Sequence, residues 1–268
     1  DVGLSPSEES GANVNPFMRN RGPQPKPKGG INTFLGSFGI LWSKTQIVWD
    51  RYNPHPELAN LPPEVVFVGR GNANPQSFND VFAASSGLQE VVLLFPGTIA
   101  KESGSPFGFE PLLKSSLTAG TIDYNQVVQK SFFGMGLVPY GGPRYTTGAD
   151  YPVAARIAGQ SVEDGDTTRA DIIFIADADF ISEQFFEIRR RGMENLDLDN
   201  VSFFLNCIDV LAGDESFVEL RRRRVQHRTL TTVEARTRAY AERGYVALER
   251  LSAYEQADLQ RRGLLPNN

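Results

Sequence analysis

The run Ala170–Ala176 (ADIIFIA) constrains the fold more than any other segment of the chain. It is almost entirely apolar and has the length of a single strand, so both of its faces must be covered. Strands buried on both faces are typical of parallel sheets that lie between helices. A helix is predicted soon afterwards, over Asn200–Ala212, because apolar residues recur there at helical spacing and Gly213 stands where a C-terminal cap belongs. This alternation predicts an α/β fold, with a mostly parallel sheet flanked by helices.

Further elements can be placed along the chain from their apolar patterns and from the Gly, Pro and capping residues that bound them. Strands are predicted over residues 45–49, 62–68 and 89–95. Helices are predicted over residues 31–39, 78–86 and 110–116, the last with Pro111 in its first turn. The glycine-rich residues 134–152 are expected to be irregular.

The two ends of the chain differ from its middle. Residues 1–30 contain five Gly and five Pro, which indicates a linker or a long loop. Residues 31–216 are assigned to the α/β domain. Residues 217–268 are assigned to a basic segment followed by a long helical stalk, which spans 231–263. An imperfect heptad pattern in that helix predicts either a stalk or a dimer seam.

Two carboxylates directly follow the apolar run, and they are the first candidate ligand-binding site. In open α/β sheets, ligands bind beyond the carboxyl ends of the strands. Asp177 and Asp179, together with Phe180, would then face a crevice and bind a cation or sugar hydroxyls. The alternative is that one carboxylate caps the following turn near Ser182. Two aspartates alone are too few ligands for a calcium or magnesium site, so no metal site is predicted.

A second candidate site combines a carboxylate with an imidazole. Asp50 ends a predicted strand. His55 follows it closely in sequence, within the segment YNPHP that spans residues 52–56. The segment is interpreted either as a binding edge or as a rigid turn that carries one exposed histidine, and the turn is the favoured interpretation.

Several functional classes find no support in the residues. The net charge of −5 argues against nucleic acid as a partner, because phosphate binding needs a basic face. The chain has no G-x-S-x-G elbow, no H-E-x-x-H motif and no phosphate-binding P-loop. Cys207, the single cysteine, falls within a predicted helix and is expected to be a small core residue. We therefore expect neither catalytic residues nor a cofactor.

The order of several segments resembles the GldG-like family of ABC transporter auxiliary proteins, which was first named for gliding motility. The closest matches are the segments Leu112–Ser116, Ala176–Asp179 and Asn206–Asp214, and the resemblance covers about residues 30–225. It implies a fold similar to flavodoxin-like and amidotransferase-like domains, on the periplasmic or extracytoplasmic side of the membrane. It also implies an ABC permease and ATPase as partners, with a second GldG-like chain as a further candidate, and membrane segments in the parent protein.

The sequence thus predicts a non-catalytic extracytoplasmic auxiliary domain, which binds a partner or an exported ligand and couples it to the transporter. Two alternatives stay open. One is an enzyme acting on carbohydrates or amides, with its crevice near Asp177 and Asp179. The other is a coiled-coil assembly scaffold that associates through residues 231–263.

Overall fold

The computed structural model describes residues 30–131, 134–163, 166–192 and 196–222, together with the single residues 255, 258, 261 and 262. The chain divides into two compact units, residues 1–224 and 225–268. The elements described below all belong to the first unit.

The first unit contains more strand than helix. Its strands are β1 (Ile40–Trp42), β2 (Gln46–Asp50), β3 (Val65–Gly69), β4 (Glu90–Leu94), β5 (Ile99–Lys101), β6 (Gly108–Lys114), β7 (Ala119–Asp123), β8 (Val128–Ser131), β9 (Gly134–Leu137), β10 (Pro152–Glu163) and β11 (Asp166–Ile175). Its helices are α1 (Ile31–Gly36), α2 (Glu183–Arg191), α3 (Asn200–Ala212) and α4 (Ser216–Arg222).

The predicted parallel sheet flanked by helices is wrong. Every strand pair in the described residues is antiparallel: β1 with β5, β2 with β7, β3 with β4, β8 with β9, and the three-stranded order β11–β10–β6. The longest pair, β10 with β11, keeps one uniform register from Ala154 opposite Ile175 to Glu163 opposite Asp166. Only two residues separate these strands, whereas a parallel pair needs a crossover of about a dozen residues or more.

The apolar run that suggested a parallel sheet forms the second half of this hairpin. Alternate side chains of β11 pack against different core clusters. Ile173 and Ile175 pack on the cluster that contains Val66 and Phe203. Ile172 and Phe174 pack on the cluster that contains Ile157. Both faces of the strand are therefore covered without a layer of helices on each side.

Two of the predicted helices are also wrong. Residues 110–116 lie mostly in strand β6, where Pro111 is tolerated because β10 is the one named strand that pairs with β6 among the described residues. Residues 78–86 form turns instead of a helix. There the Asn79 side-chain oxygen accepts hydrogen bonds from the N–H groups of Val81 and Phe82, at 2.9 and 3.1 Å. Such local bonds compete with helix formation.

Other predicted elements are confirmed. β2, β3 and β4 lie within or beside the predicted strands, and α1 begins at Ile31 as predicted. Helix α3 spans Asn200–Ala212, and Gly213 ends it in the left-handed conformation, with φ 76°. The long helix predicted over residues 231–263 falls almost wholly outside the described residues, and no long C-terminal helix is shown. The predicted linker falls outside them too, apart from Gly30.

The β3–β4 pair forms the centre of the unit, because both of its faces are buried. Val66 and Leu93 point into one core cluster, and Phe67 and Val92 point into another. Helix α3 closes both clusters, since Phe203 belongs to the first and Val201 to the second. The candidate site residues are therefore positioned around a strand pair that is rigidly packed.

Candidate functional site

Asp177 lies just beyond the end of β11, as the sequence predicted, but its carboxylate is turned into the protein. The residue is 1% exposed. Its Oδ2 atom accepts a hydrogen bond from the N–H of Leu94 at 2.6 Å, and its Oδ1 atom accepts one from the N–H of Asp179 at 2.8 Å. The second bond closes a local turn just before the 3₁₀ turn Asp179–Ile181, for which no side-chain cap hydrogen bond is made. Both carboxylate oxygens of Asp177 therefore accept hydrogen bonds from the backbone.

Burial raises the pKa of Asp177 to about 6, although hydrogen bonds from the N–H groups of Leu94 and Asp179 lower it. Desolvation of the charged form thus outweighs the two donors. The neighbouring Phe180 is buried and packs edge-on against Phe203 and Phe204, with ring centroids 6.2 and 6.1 Å apart. Phe180 is thus part of the core, and Asp179 is half-buried beside it.

Asp177 is one of three polar side chains that close the free edge of β4. Strand β3 pairs with one edge of β4, and no strand pairs with the other in the described residues. There the Asn200 side chain accepts a hydrogen bond from the N–H of Val92 at 3.0 Å and donates one to its carbonyl at 2.7 Å. The Asp199 carboxylate accepts one from the N–H of Gln89 at 2.7 Å. These side chains replace a missing strand.

The sequence analysis missed the roles of Asp199 and Asn200. Both stand at the start of α3, where polar residues ordinarily cap the helix itself. No cap hydrogen bond is made by the Asp199 side chain. Instead, the two side chains reach across to a strand that is more than 100 residues away in sequence. The consecutive Asp and Asn at the helix start are the only local signal, and that signal also fits an ordinary cap.

Asp50 forms a separate buried cluster at the end of β2. Its Oδ1 atom accepts hydrogen bonds from the N–H of Tyr52 at 3.0 Å and from the hydroxyl of Ser116 at 2.5 Å. Its Oδ2 atom accepts one from the N–H of Ser116 at 2.7 Å. Asp50 is 2% exposed, so this carboxylate ties β2 to the segment after β6.

His55 lies in a turn held by local hydrogen bonds, and its ring is mostly buried. The Asn53 side chain accepts a hydrogen bond from the N–H of His55 at 2.9 Å. The His55 side chain is only 11% exposed, which corrects the expectation of an exposed histidine. Its Nε2 atom lies 2.5 Å from Oε1 of Glu90, and its ring packs on Phe67. The hydrogen bond with Glu90 raises the pKa of His55 above its ordinary value.

The structure does not bring His55 and Asp177 together. His55 contacts Glu90 at the first residue of β4, and Asp177 contacts Leu94 at the last. A strand rises about 3.3 Å per residue, so the two contact points are about 13 Å apart. The candidate residues therefore belong to separate clusters, and they do not line one crevice.

A shallow depression lies at the junction of α3 and α4. It is lined by residues 86–89, 199, 202, 206, 221 and 222, and it has room for about one water molecule. Arg221 donates to Asn206 at 2.9 Å and to Asp209 at 2.7 Å, and this fixes the start of the basic segment against α3. Of the segment assigned to residues 217–268, the structure describes residues 217–222 and the single residues 255, 258, 261 and 262.

Cys207 is buried in the core, and burial raises the pKa of its thiol to about 12. This agrees with its expected role as a small core residue.

In the part of the chain that the structure describes, no three side chains of His, Cys, Asp or Glu are grouped to hold a metal ion. No helix among the same residues is long and apolar enough to cross a membrane.

Comparison with known proteins gives one match. A family model described as an ABC-type uncharacterized transport system matches residues 7–207, which is more than half of the chain. No curated protein and no solved structure shows significant similarity to the chain. The match includes the clusters around Asp50, His55 and Asp177. The chain therefore belongs to this family and is an auxiliary component of an ABC-type transport system.

Proposed function

We propose that this chain is a non-catalytic, extracytoplasmic docking domain, which binds a partner or ligand and couples it to the permease and ATPase of its transport system. The observation that carries the proposal is the hydrogen bonding of Asp177. Asp177 was the first candidate for a ligand-binding residue, yet both of its carboxylate oxygens accept hydrogen bonds from backbone N–H groups.

The same use of carboxylates recurs in the other buried clusters. Asp50 binds the backbone of Tyr52 and Ser116, and Asp199 binds the backbone of Gln89. A buried carboxylate that accepts several backbone hydrogen bonds stabilises the loops around it. These residues build a rigid framework, which favours recognition through the surface of the domain.

One surface suited to recognition is the outer part of the β10–β11 hairpin. Strand β6 pairs with β10 only from Pro152 to Ala158. Beyond that point, residues 159–163 and 166–170 pair only with each other among the described residues. Most of this two-stranded ribbon is exposed, and it carries hydroxyl and amide side chains. Exposed strand edges are frequent docking sites for protein partners.

The extracytoplasmic location can be tested by labelling a single engineered cysteine. The buried Cys207 has a pKa of about 12, so it stays largely unreactive in the folded protein. We expect Thr168→Cys, on the exposed ribbon, to react with a membrane-impermeant maleimide in intact cells that express the full-length protein. The unsubstituted protein is the matched control. Labelling of Thr168→Cys only after the cells are permeabilised would place the domain on the cytoplasmic side.

Coupling to a transporter is tested by association and by ATP hydrolysis. The full-length protein is tagged and co-expressed with the permease and ATPase of the transport system. We expect all three to co-purify, and we expect removal of this chain to change the ATPase rate of the transporter in proteoliposomes. Separate elution together with an unchanged hydrolysis rate would contradict the docking role.

A further inference from the structure

Strand β11 presents a long open edge. In the three-stranded sheet, β10 lies between β6 and β11. The outer edge of β6 is covered by a loop, since the N–H of Asn79 donates to Leu112 and the N–H of Lys114 donates to Ser77, both at 3.0 Å. Within the described residues, no comparable segment bonds to the outer edge of β11. An uncovered edge of this kind is a template for another strand.

The hydrogen bonds of the hairpin show which groups point outward. The N–H of Ala176 donates to the carbonyl of Val153 at 2.9 Å, so this residue faces β10. The register is uniform along the whole pair, and backbone groups alternate in direction along a strand. The N–H and C=O groups of Thr167, Arg169, Asp171 and Ile173 therefore point away from β10, toward the open edge.

Charged side chains on one face of the sheet alternate in sign toward that edge. Glu110 on β6 lies 4.0 Å from Arg156 on β10, and Arg156 lies 2.8 Å from Asp171 on β11. The Asp171 side chain is still 48% exposed, so it can accept a further partner. Arg169 lies two residues away on the same strand, hence on the same face, and it is exposed.

We propose that the open edge of β11 pairs antiparallel with β11 of a second copy of this chain, about a two-fold axis at Ala170. This register places Arg169 of each copy opposite Asp171 of the other, and Thr167 opposite Ile173. All four of these residues direct their backbone groups toward the edge, so each pair exchanges ladder hydrogen bonds. The added arginine continues the alternation of acidic and basic side chains across the joined sheets.

The charges also discriminate between registers. A two-fold axis at Arg169 would set two arginines face to face, and an axis at Asp171 would set two carboxylates face to face. Like charges directly opposite each other destabilise an antiparallel pair, whereas opposite charges stabilise it. Among these three registers, the axis at Ala170 alone is favoured by the edge charges. This proposal concerns self-association, so its test is separate from the tests of location and of coupling to a transporter.

The test is sedimentation velocity of the full chain over a range of concentrations. We expect a dimer for the wild-type chain. Arg169→Glu replaces attraction by repulsion at both symmetric contacts, so the dimer should weaken about 30-fold, equivalent to about 2 kcal/mol. Arg191→Glu is the matched control, since it makes the same charge change at an exposed residue of α2, outside strand β11, and the dimer should persist.

A second variant tests the backbone hydrogen bonds. Thr167→Pro removes an outward N–H without affecting the bonds to β10, and proline is tolerated on edge strands. We expect it to weaken the dimer while the thermal unfolding midpoint stays close to that of the wild type. A wild-type chain that stays monomeric would overturn the proposal. So would a dimer that withstands both Arg169→Glu and Thr167→Pro, including one that is lost only when residues 231–268 are deleted.

Discussion

Replacing Asn200 by alanine tests whether polar side chains close the edge of β4. The Asn200 side chain is fully buried. Its amide oxygen accepts a hydrogen bond from the N–H of Val92, and its amide nitrogen donates to the carbonyls of Val92 and Phe180, at 2.7 and 2.8 Å. The alanine variant leaves three buried backbone groups without these partners.

The expected cost follows from those three lost bonds. A buried polar group left unsatisfied costs roughly 1–3 kcal/mol, so Asn200→Ala should lower the free energy of unfolding by about 3 kcal/mol or more. That is a large part of the 5–15 kcal/mol typical of a folded domain. Asn200→Asp keeps the shape of the side chain but places an oxygen opposite two carbonyls. It should be at least as destabilising at neutral pH.

Urea unfolding followed by tryptophan fluorescence measures the effect. Both tryptophans, Trp42 and Trp49, lie in the same compact unit as Asn200. With a slope of roughly 2 kcal/mol per molar urea, the midpoint should fall by about 1.5 M. The exposed Asn125→Ala is the matched control and should change stability by less than about 0.5 kcal/mol. An Asn200→Asp protein as stable as the wild type would refute the role assigned to these hydrogen bonds.

Two further predictions concern buried charges. Because Glu90 raises the pKa of His55 in the folded state, the folded protein binds more protons than the unfolded chain just above pH 6.5. The free energy of unfolding should therefore fall as the pH rises through the folded pKa of His55. Glu90→Gln should flatten this dependence, measured by urea unfolding between pH 6 and 8. An unchanged slope in the variant would contradict the assignment. Arg144 lies 2.8 Å from Glu64, which is 1% exposed, so Arg144→Ala leaves a buried carboxylate unpaired and should cost about 3 kcal/mol in thermal or urea unfolding. The exposed Arg191→Ala is the control, and an equal, small effect of both substitutions would count against the buried pair.

Helices and strands were predictable where the apolar spacing and the capping residues of a segment matched the environment that the segment has in the folded protein. Helix α3 is an example, because its apolar spacing and Gly213 specify both its course and its end. Strand β6 is the opposite case. Its sequence, with Pro111 near a Glu and two leucines, matches a helix start as well as it matches a strand. The pairing with β10 decided the outcome, and that pairing is invisible in a short window.

The candidate site shows the same division. The sequence correctly placed Asp177 after a strand and Asp50 at the end of one. It gave no sign that Asp177 would hold the N–H of Leu94, since the two residues are 83 positions apart. The partner of a buried carboxylate depends on which backbone groups lack a bond after the strands have paired.

The sequence by itself determined which segments are buried, where several turns and helices end, and that the chain carries no recognisable catalytic motif. Only the tertiary structure decided that β10 and β11 pair antiparallel, and that Asp177, Asp199 and Asn200 bond to the edge of β4. It also decided that β11 lies at the edge of its sheet among the described residues. The physical reason is that an apolar run indicates only that both faces of a strand are buried. Whether helices or neighbouring core clusters cover them depends on contacts between residues that are distant in sequence.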